Sequence, residues 1–122
     1  MFNFLRPGSA RPAQITPTEA AARASKGELV VIDVREVAEV RASGKAKGAL
    51  VIPSGLVGIK CDPSAPDCPK GLSLDTPVAL YCASGARSGM AAAALQKLGY
   101  KTVYNLGGFA DWKAGGGAVE KA

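Results

Sequence analysis

The chain contains no histidine, and that single absence removes cysteine–histidine pairs, serine–histidine–aspartate triads and imidazole metal ligands from consideration. Any nucleophile must be activated by something else. Long apolar runs are lacking too. Nothing approaches the roughly 20 consecutive apolar residues that a membrane helix needs, and the opening "MFNFLRPGSARP" meets Arg6 and Pro7 after only a few apolar residues. No membrane partner is expected, and a cytoplasmic protein is the default. Phe2, Phe4 and Leu5 read as part of a flexible N-terminal segment, residues 1–13, because termini order only when docked. Basic residues exceed acidic ones, 15 Lys and Arg against 10 Asp and Glu for a formal charge of +5. Yet no basic run interleaves with aromatics in the manner of a nucleic-acid site, so the surplus suits small anions rather than a nucleic acid. Cysteine is scarce and odd in number, with Cys61, Cys68 and Cys82. At least one thiol has no partner within the monomer, and a chain read as lacking a signal peptide belongs in a reducing compartment.

What is present points to one domain. A length of 122 residues with 48% apolar content can bury a real core; residues 14–117 are the expected domain and 118–122 a C-terminal tail. "ITPTEAAARASKG" has Thr16 as N-cap, Pro17 at the first helical position, Glu19 for a capping box and Gly27 past the end. "LVVID" (29–33), "ALVIP" (49–53), "PVALYC" (77–82) and "KTVYNL" (101–106) are apolar, β-rich runs that predict strands. Between them lie "EVAEVRASG", with Val37 and Val40 at helical spacing, and "SGMAAAALQKLG" (88–99), with Leu95 and Leu98 on one face; "GGFADWKAGG" predicts a short last helix. "CDPSAPDCPKG" predicts a surface loop. Alternating strands and helices indicate a parallel sheet with helices on both faces, and such sheets bind ligands beyond the carboxyl ends of their strands.

Cys82 stands at such a place, where the most apolar strand gives way to "ASGARSG" and a helix. A thiol attacks only as thiolate and needs positive potential to ionise. The unpaired amides and dipole of a helix N-terminus supply it. Gly85 can take backbone angles denied to other residues, Ala83, Ser84 and Ala86 add no bulk, and Arg87 adds a permanent charge. A small buried hydrophobe is the ordinary role of a free cysteine, but it does not explain the glycine-containing, arginine-ending turn. Ser84 and Ser88 are equally readable as turn and cap residues.

These residues resemble the active-site loop of the rhodanese family of sulfurtransferases, Cys-x-x-Gly-x-Arg-Ser, here Cys82 to Ser88. "VVIDVREVAE" is similar to the family's Asp-x-Arg segment at Asp33 and Arg35, "GKAKGALVIP" to its Gly-His-Ile-x-Gly-Ala-x-x-Ile-Pro segment, and "NLGGFADWKAGG" to its Gly-Gly-x-x-x-Trp signature at Gly107, Gly108 and Trp112. The resemblance runs from about Ile15 to Gly116 and implies a rhodanese-like α/β fold, an open, mainly parallel, five-stranded sheet with helices on both faces. It implies that Cys82 takes the outer sulfur of an anionic donor such as thiosulfate as a persulfide and yields it to cyanide, a thiol or a protein acceptor. Ala83, Ser84, Gly85, Ala86, Arg87 and Ser88 would bind the donor, and no cofactor or metal is implied. Asp33 and Arg35 are expected as a supporting structural ion pair, and Trp112 and Phe109 as core anchors. Lys45, Ala46 and Lys47 depart from the family's histidine, isoleucine and proline and read as solvated loop charges or an addition to a basic rim. Cys61 and Cys68, six residues apart, are unpaired loop thiols or a redox pair able to form a small disulfide or attack a persulfide.

Two other readings compete. Cysteine phosphatases and arsenate reductases place five residues between Cys and Arg, whereas Cys82 and Arg87 are separated by four, a bowl better sized for one sulfur. A non-enzymatic rhodanese-like binding module usually lacks the cysteine that is retained here.

Overall fold

The computed structural model of the chain describes residues 13–122; Phe2, Phe4 and Leu5 lie outside them. Elements follow in the order α1 (Pro17–Ser25), β1 (Val30–Asp33), α2 (Val37–Ser43), β2 (Lys45–Ala46), β3 (Leu50–Val51), a 3-10 turn (Ser54–Leu56), α3 (Val57–Lys60), β4 (Val78–Cys82), α4 (Ala86–Leu98), β5 (Val103–Gly108), α5 (Phe109–Ala114) and β6 (Val119–Glu120). The start of α1 follows the predicted chemistry: the Thr16 hydroxyl accepts the Glu19 N–H at 3.1 Å, with Pro17 in the first turn. Of the two valines predicted to anchor α2, Val40 is buried and Val37 exposed. Among the described residues no helix is long and apolar enough to cross a membrane.

The central sheet is parallel throughout, in the order β3-β1-β4-β5. Strand pleating sorts the side chains of β4 between two cores. Val78, Leu80 and Cys82 pack with Val57, Ala91, Ala92 and Leu95 on the face covered by α3 and α4. Ala79 and Tyr81 pack with Ala20, Phe109 and Trp112 on the face covered by α1 and α5. All five residues of β4 are buried, which is why the run is almost wholly apolar.

The expected mainly parallel α/β architecture is present, with four strands in the sheet among the described residues where the resemblance implied five. Beyond β5, among the described residues, lies a one-residue bridge, Ala13 against Tyr104. Pro17 begins α1 four residues later. The C-terminal residues, expected as a tail, form β6, which pairs antiparallel with β2 as a separate ribbon. Lys45 therefore lies in a strand rather than a solvated loop, bonded to Glu120 at 2.6 Å and to the Ala49 carbonyl at 2.9 Å.

One buried ionic hub ties these parts together. The Asp33 side chain is fully buried and that of Arg35 is 5% exposed. Arg35 meets the carboxylate through Nη2 at 2.7 Å and through Nε at 3.0 and 3.1 Å, while its backbone N–H reaches Asp33 Oδ1 at 3.0 Å. The guanidinium also donates to Ser43 Oγ and to the Gly44 carbonyl at the end of α2. The Tyr81 hydroxyl donates to Asp33 at 2.6 Å and accepts the Ala46 N–H at 2.9 Å. Phe109 stacks on Tyr81 and lies under the guanidinium, 4.4 Å from its ring centre. No buried side-chain nitrogen or oxygen lacks a partner among the described residues, the condition under which a buried ion pair is tolerable.

Removing one partner would strand the other. Arg35→Ala is expected to cost about 3–5 kcal/mol, and Tyr81→Phe about 1–3 kcal/mol, in urea unfolding monitored by circular dichroism. Variants as stable as the wild type would show that the hub is dispensable.

Candidate active site

β4 ends at Cys82, and after three intervening residues the chain enters α4 at Ala86. The turn is made by Gly85, which stands as N-cap with φ of 101°, a conformation that side-chain-bearing residues resist. Helix α4 therefore starts at Ala86, two residues before the Ser88 start the sequence predicts, and Arg87 lies in its first turn.

This turn brings donors onto the sulfur. The Gly85 N–H points to Cys82 Sγ at 2.9 Å, and the Ser88 hydroxyl lies 3.6 Å from it. Cys82 and Ser88 are wholly buried, whereas Ala83, Ser84 and Ala86 are exposed around the opening. Burial pushes the thiol up, but the Ser88 hydroxyl and the N–H groups of Ser88, Ser84 and Gly85 outweigh it, and the Cys82 pKa falls to about 7. The arrangement is a recessed sulfur held by hydrogen bonds beneath a rim of small residues.

β5 forms the wall of this turn. A Cβ built on Gly108 would collide with the Ala83 carbonyl oxygen, so only glycine allows the loop to settle against the strand. The Gly108 N–H is held by the Asp111 carboxylate at 2.8 Å. Trp112, buried, donates to the Ala118 carbonyl at 2.8 Å and serves as the core anchor predicted for it.

Arg87 is less free than its sequence position suggests. Its guanidinium grips Glu39 of α2 with two bonds of 2.6 and 2.9 Å. Glu39 also accepts the Glu36 N–H at 2.9 Å. Arg87, followed by that N–H, holds the Glu39 carboxyl down to about 2. Arg87 is raised in turn by Glu39 first, with Cys82 contributing. Much of the rim charge is thus balanced within the protein, and the hydrogen bonds at the sulfur come from the Gly85 N–H and the Ser88 hydroxyl, with the Arg87 charge nearby.

The remaining predicted residues separate. Asp33 and Arg35 reach the site indirectly, through Tyr81 next to Cys82. Cys61 caps the end of α3 and is fully buried, unlike the surface thiol expected of a loop; Cys68 is half-buried against the same core. Both are free thiols, and burial raises both, Cys61 to about 11. Glu39 and Asn105 are site neighbours that sequence reasoning missed. Glu39 shows itself only as an acid in the first turn of α2, and Asn105 as the single amide in the strand "VYNLGG".

Alkylation by iodoacetamide, followed residue by residue in peptide mass spectra, tests these environments. Cys82 should react with a midpoint near pH 7, below the value of about 8.5 for a free thiol, because thiolate predominates above its own pKa. Cys61 should stay unmodified in the folded protein. A Cys82 midpoint at the free value would refute the assigned environment.

The family model of the rhodanese-like domain matches residues 16–115. A sulfurtransferase of Allochromatium vinosum is 38% identical over 86 residues, covering 70% of this chain and 72% of that protein. A structure from Rhodopseudomonas palustris, of unknown function and described as a possible tyrosine phosphatase, superposes with a TM-score of 0.76 at 30% identity, covering 89% of this chain and 85% of that one. A rhodanese-related protein from Thermoplasma volcanium gives a TM-score of 0.70 at 28% identity, covering 89% and 98%. With a match that spans most of its length, the chain belongs to the rhodanese-like domain family, and family and relatives together support sulfur transfer as its general chemistry.

Proposed function

We propose that the protein is a thiosulfate-type sulfurtransferase that carries sulfur as a persulfide on Cys82. The observation that carries this reading is the pair of donors trained on one buried sulfur, the Gly85 N–H at 2.9 Å and the Ser88 hydroxyl at 3.6 Å. The Cys82 thiolate attacks the outer sulfur of thiosulfate; a new S–S bond forms, the donor's S–S bond breaks, and sulfite leaves with the electron pair. The terminal sulfur of the persulfide now bears the negative charge, beneath the exposed rim of Ala83, Ser84 and Ala86. Cyanide or a thiolate then attacks that sulfur and releases the Cys82 thiolate, so the cycle is redox-neutral and ping-pong. Loop amides that stabilise the charge throughout provide the electrostatic part of catalysis. A reducing cytoplasm is the setting in which three free thiols persist, and a protein thiol is the alternative acceptor.

The description of the Rhodopseudomonas palustris protein raises phosphatase chemistry as a second reading. The four-residue spacing and the commitment of Arg87 to Glu39 weigh against it.

Intact-mass measurement after mixing with thiosulfate tests the proposal. One added sulfur that cyanide removes, absent in Cys82→Ala, is expected; an adduct that persists in Cys82→Ala would move the chemistry to Cys61 or Cys68. Hydrolysis of an aryl phosphate without sulfur loading would favour the phosphatase reading. Steady-state assays of Arg87→Ala should show a raised KM for thiosulfate, with only a small upward change in the alkylation midpoint, since amides and Ser88 hold the thiolate. An unchanged KM would remove Arg87 from donor binding.

A further inference from the structure

Behind the loop, on the strand that walls it, Asn105 makes three hydrogen bonds, two of them to Ser88 and Gly85, the residues whose donors face Cys82. Its Oδ1 accepts the Gly107 N–H at 3.1 Å and the Ser88 hydroxyl at 2.7 Å. Its Nδ2 donates to the Gly85 carbonyl at 3.1 Å. The Gly107 N–H can only donate and the Gly85 carbonyl can only accept, so the orientation of the amide is fixed by its neighbours. Space for it comes from α4: a Cβ on Gly89 would sit 3.3 Å from Asn105 Nδ2.

We propose that Asn105 is a positioning residue of the active site, holding the Ser88 hydroxyl and the Gly85 residue so that both face the Cys82 sulfur. The inference rests on the reading of Cys82 as the attacking thiolate.

Ser88 has one hydroxyl proton and two acceptors within reach, Asn105 Oδ1 and Cys82 Sγ. While Cys82 is a thiol, the Ser88 hydroxyl donates to Asn105 Oδ1 and its oxygen faces the S–H. Once Cys82 ionises, the same hydroxyl turns its proton to the sulfur, and Asn105 keeps the Gly107 N–H. Without Asn105, a buried serine inside a helix turns to the carbonyl one turn back, its usual alternative, and the sulfur loses a donor. The Gly85 clamp works alongside. Its carbonyl takes both Asn105 Nδ2 and the Gly89 N–H at 3.0 Å, which steadies the left-handed glycine whose own N–H reaches the sulfur. Charged groups around Cys82 are Arg87 of α4 with Glu39 of α2 bound to it, Asp111 of α5 on the Gly108 N–H, and the mutually paired Asp33 and Arg35 beyond β1. None of them bonds to Asn105, so its substitution leaves their pairings in place.

The pH profile of Cys82 alkylation, with a thermal melt of each variant, tests the assignment. Asn105→Ala should move the midpoint upward by about one pH unit, the scale of one or two lost hydrogen bonds to a thiolate. Asn105→Leu, which keeps the side-chain volume, should show the same shift if the alanine variant melts early. Ser88→Ala should also move the midpoint upward, and the double variant by less than the sum, because the two residues act through one proton. A midpoint that stays at the wild-type value or falls overturns the proposal, and full additivity overturns the route through Ser88. Sulfur loading is measured on the same samples. Wild-type protein that alkylates near pH 7 yet takes no sulfur from thiosulfate refutes the sulfurtransferase reading alone; normal loading with unmoved midpoints refutes the role of Asn105 alone.

Discussion

A carboxylate and a guanidinium two residues apart, sealed at the end of β1, hold the carboxyl edge of this sheet in register. Asp33 and Arg35 are joined by Tyr81 from β4, by Ala46 from β2 and by the end of α2. Their desolvation is offset only because each polar atom finds a partner, so the hub forms whole or not at all. It acts as a latch between elements that local propensity alone would leave free to slide.

The latch matters to chemistry because of strand alternation. Tyr81 and Cys82 are consecutive, so one faces the ionic hub and the other the opposite core. The residue before Cys82 is thereby locked by hydrogen bond and stacking, and Cys82 inherits that rigidity. From the other side, glycines of β5 admit the loop and Asn105 ties it down. The hydrogen bonds that reach the Cys82 sulfur thus come from a backbone amide and a neutral hydroxyl held by a stiff frame, in a chain that has no histidine to offer.

Much of this was legible in the residues. Apolar β-rich runs marked the four strands, Thr16, Pro17 and Gly44 marked helix boundaries, and the cluster from Cys82 to Ser88 marked the site. These signals are local: composition, capping chemistry and the backbone freedom of glycine act over a few positions. What escaped was pairing across the fold. Glu39 meets Arg87 across 48 positions, Ser88 meets Asn105 across 17, and Lys45 meets Glu120 across 75, and no spacing rule encodes such meetings. The start of α4 was misplaced for a related reason, since Gly85 serves as its cap through a backbone angle rather than a side chain.

Register along β5 slips between the partners of Leu80 and Tyr81, which are Asn105 and Gly107. Leu106 is the extra residue of this bulge, its side chain in the core of the opposite face. Asn105 and the glycine pair therefore stand at different phases of the pleat, one able to reach the loop from the side and the other to lie flat under it. At this point the length of the chain is under stricter constraint than its composition. Leucine at 106 could give way to another apolar residue, but deletion of one residue would carry Gly108 out from under Ala83 and swing Asn105 away from Ser88. Insertions and deletions between Val103 and Phe109 are the changes that this fold can least absorb, whatever amino acids they involve.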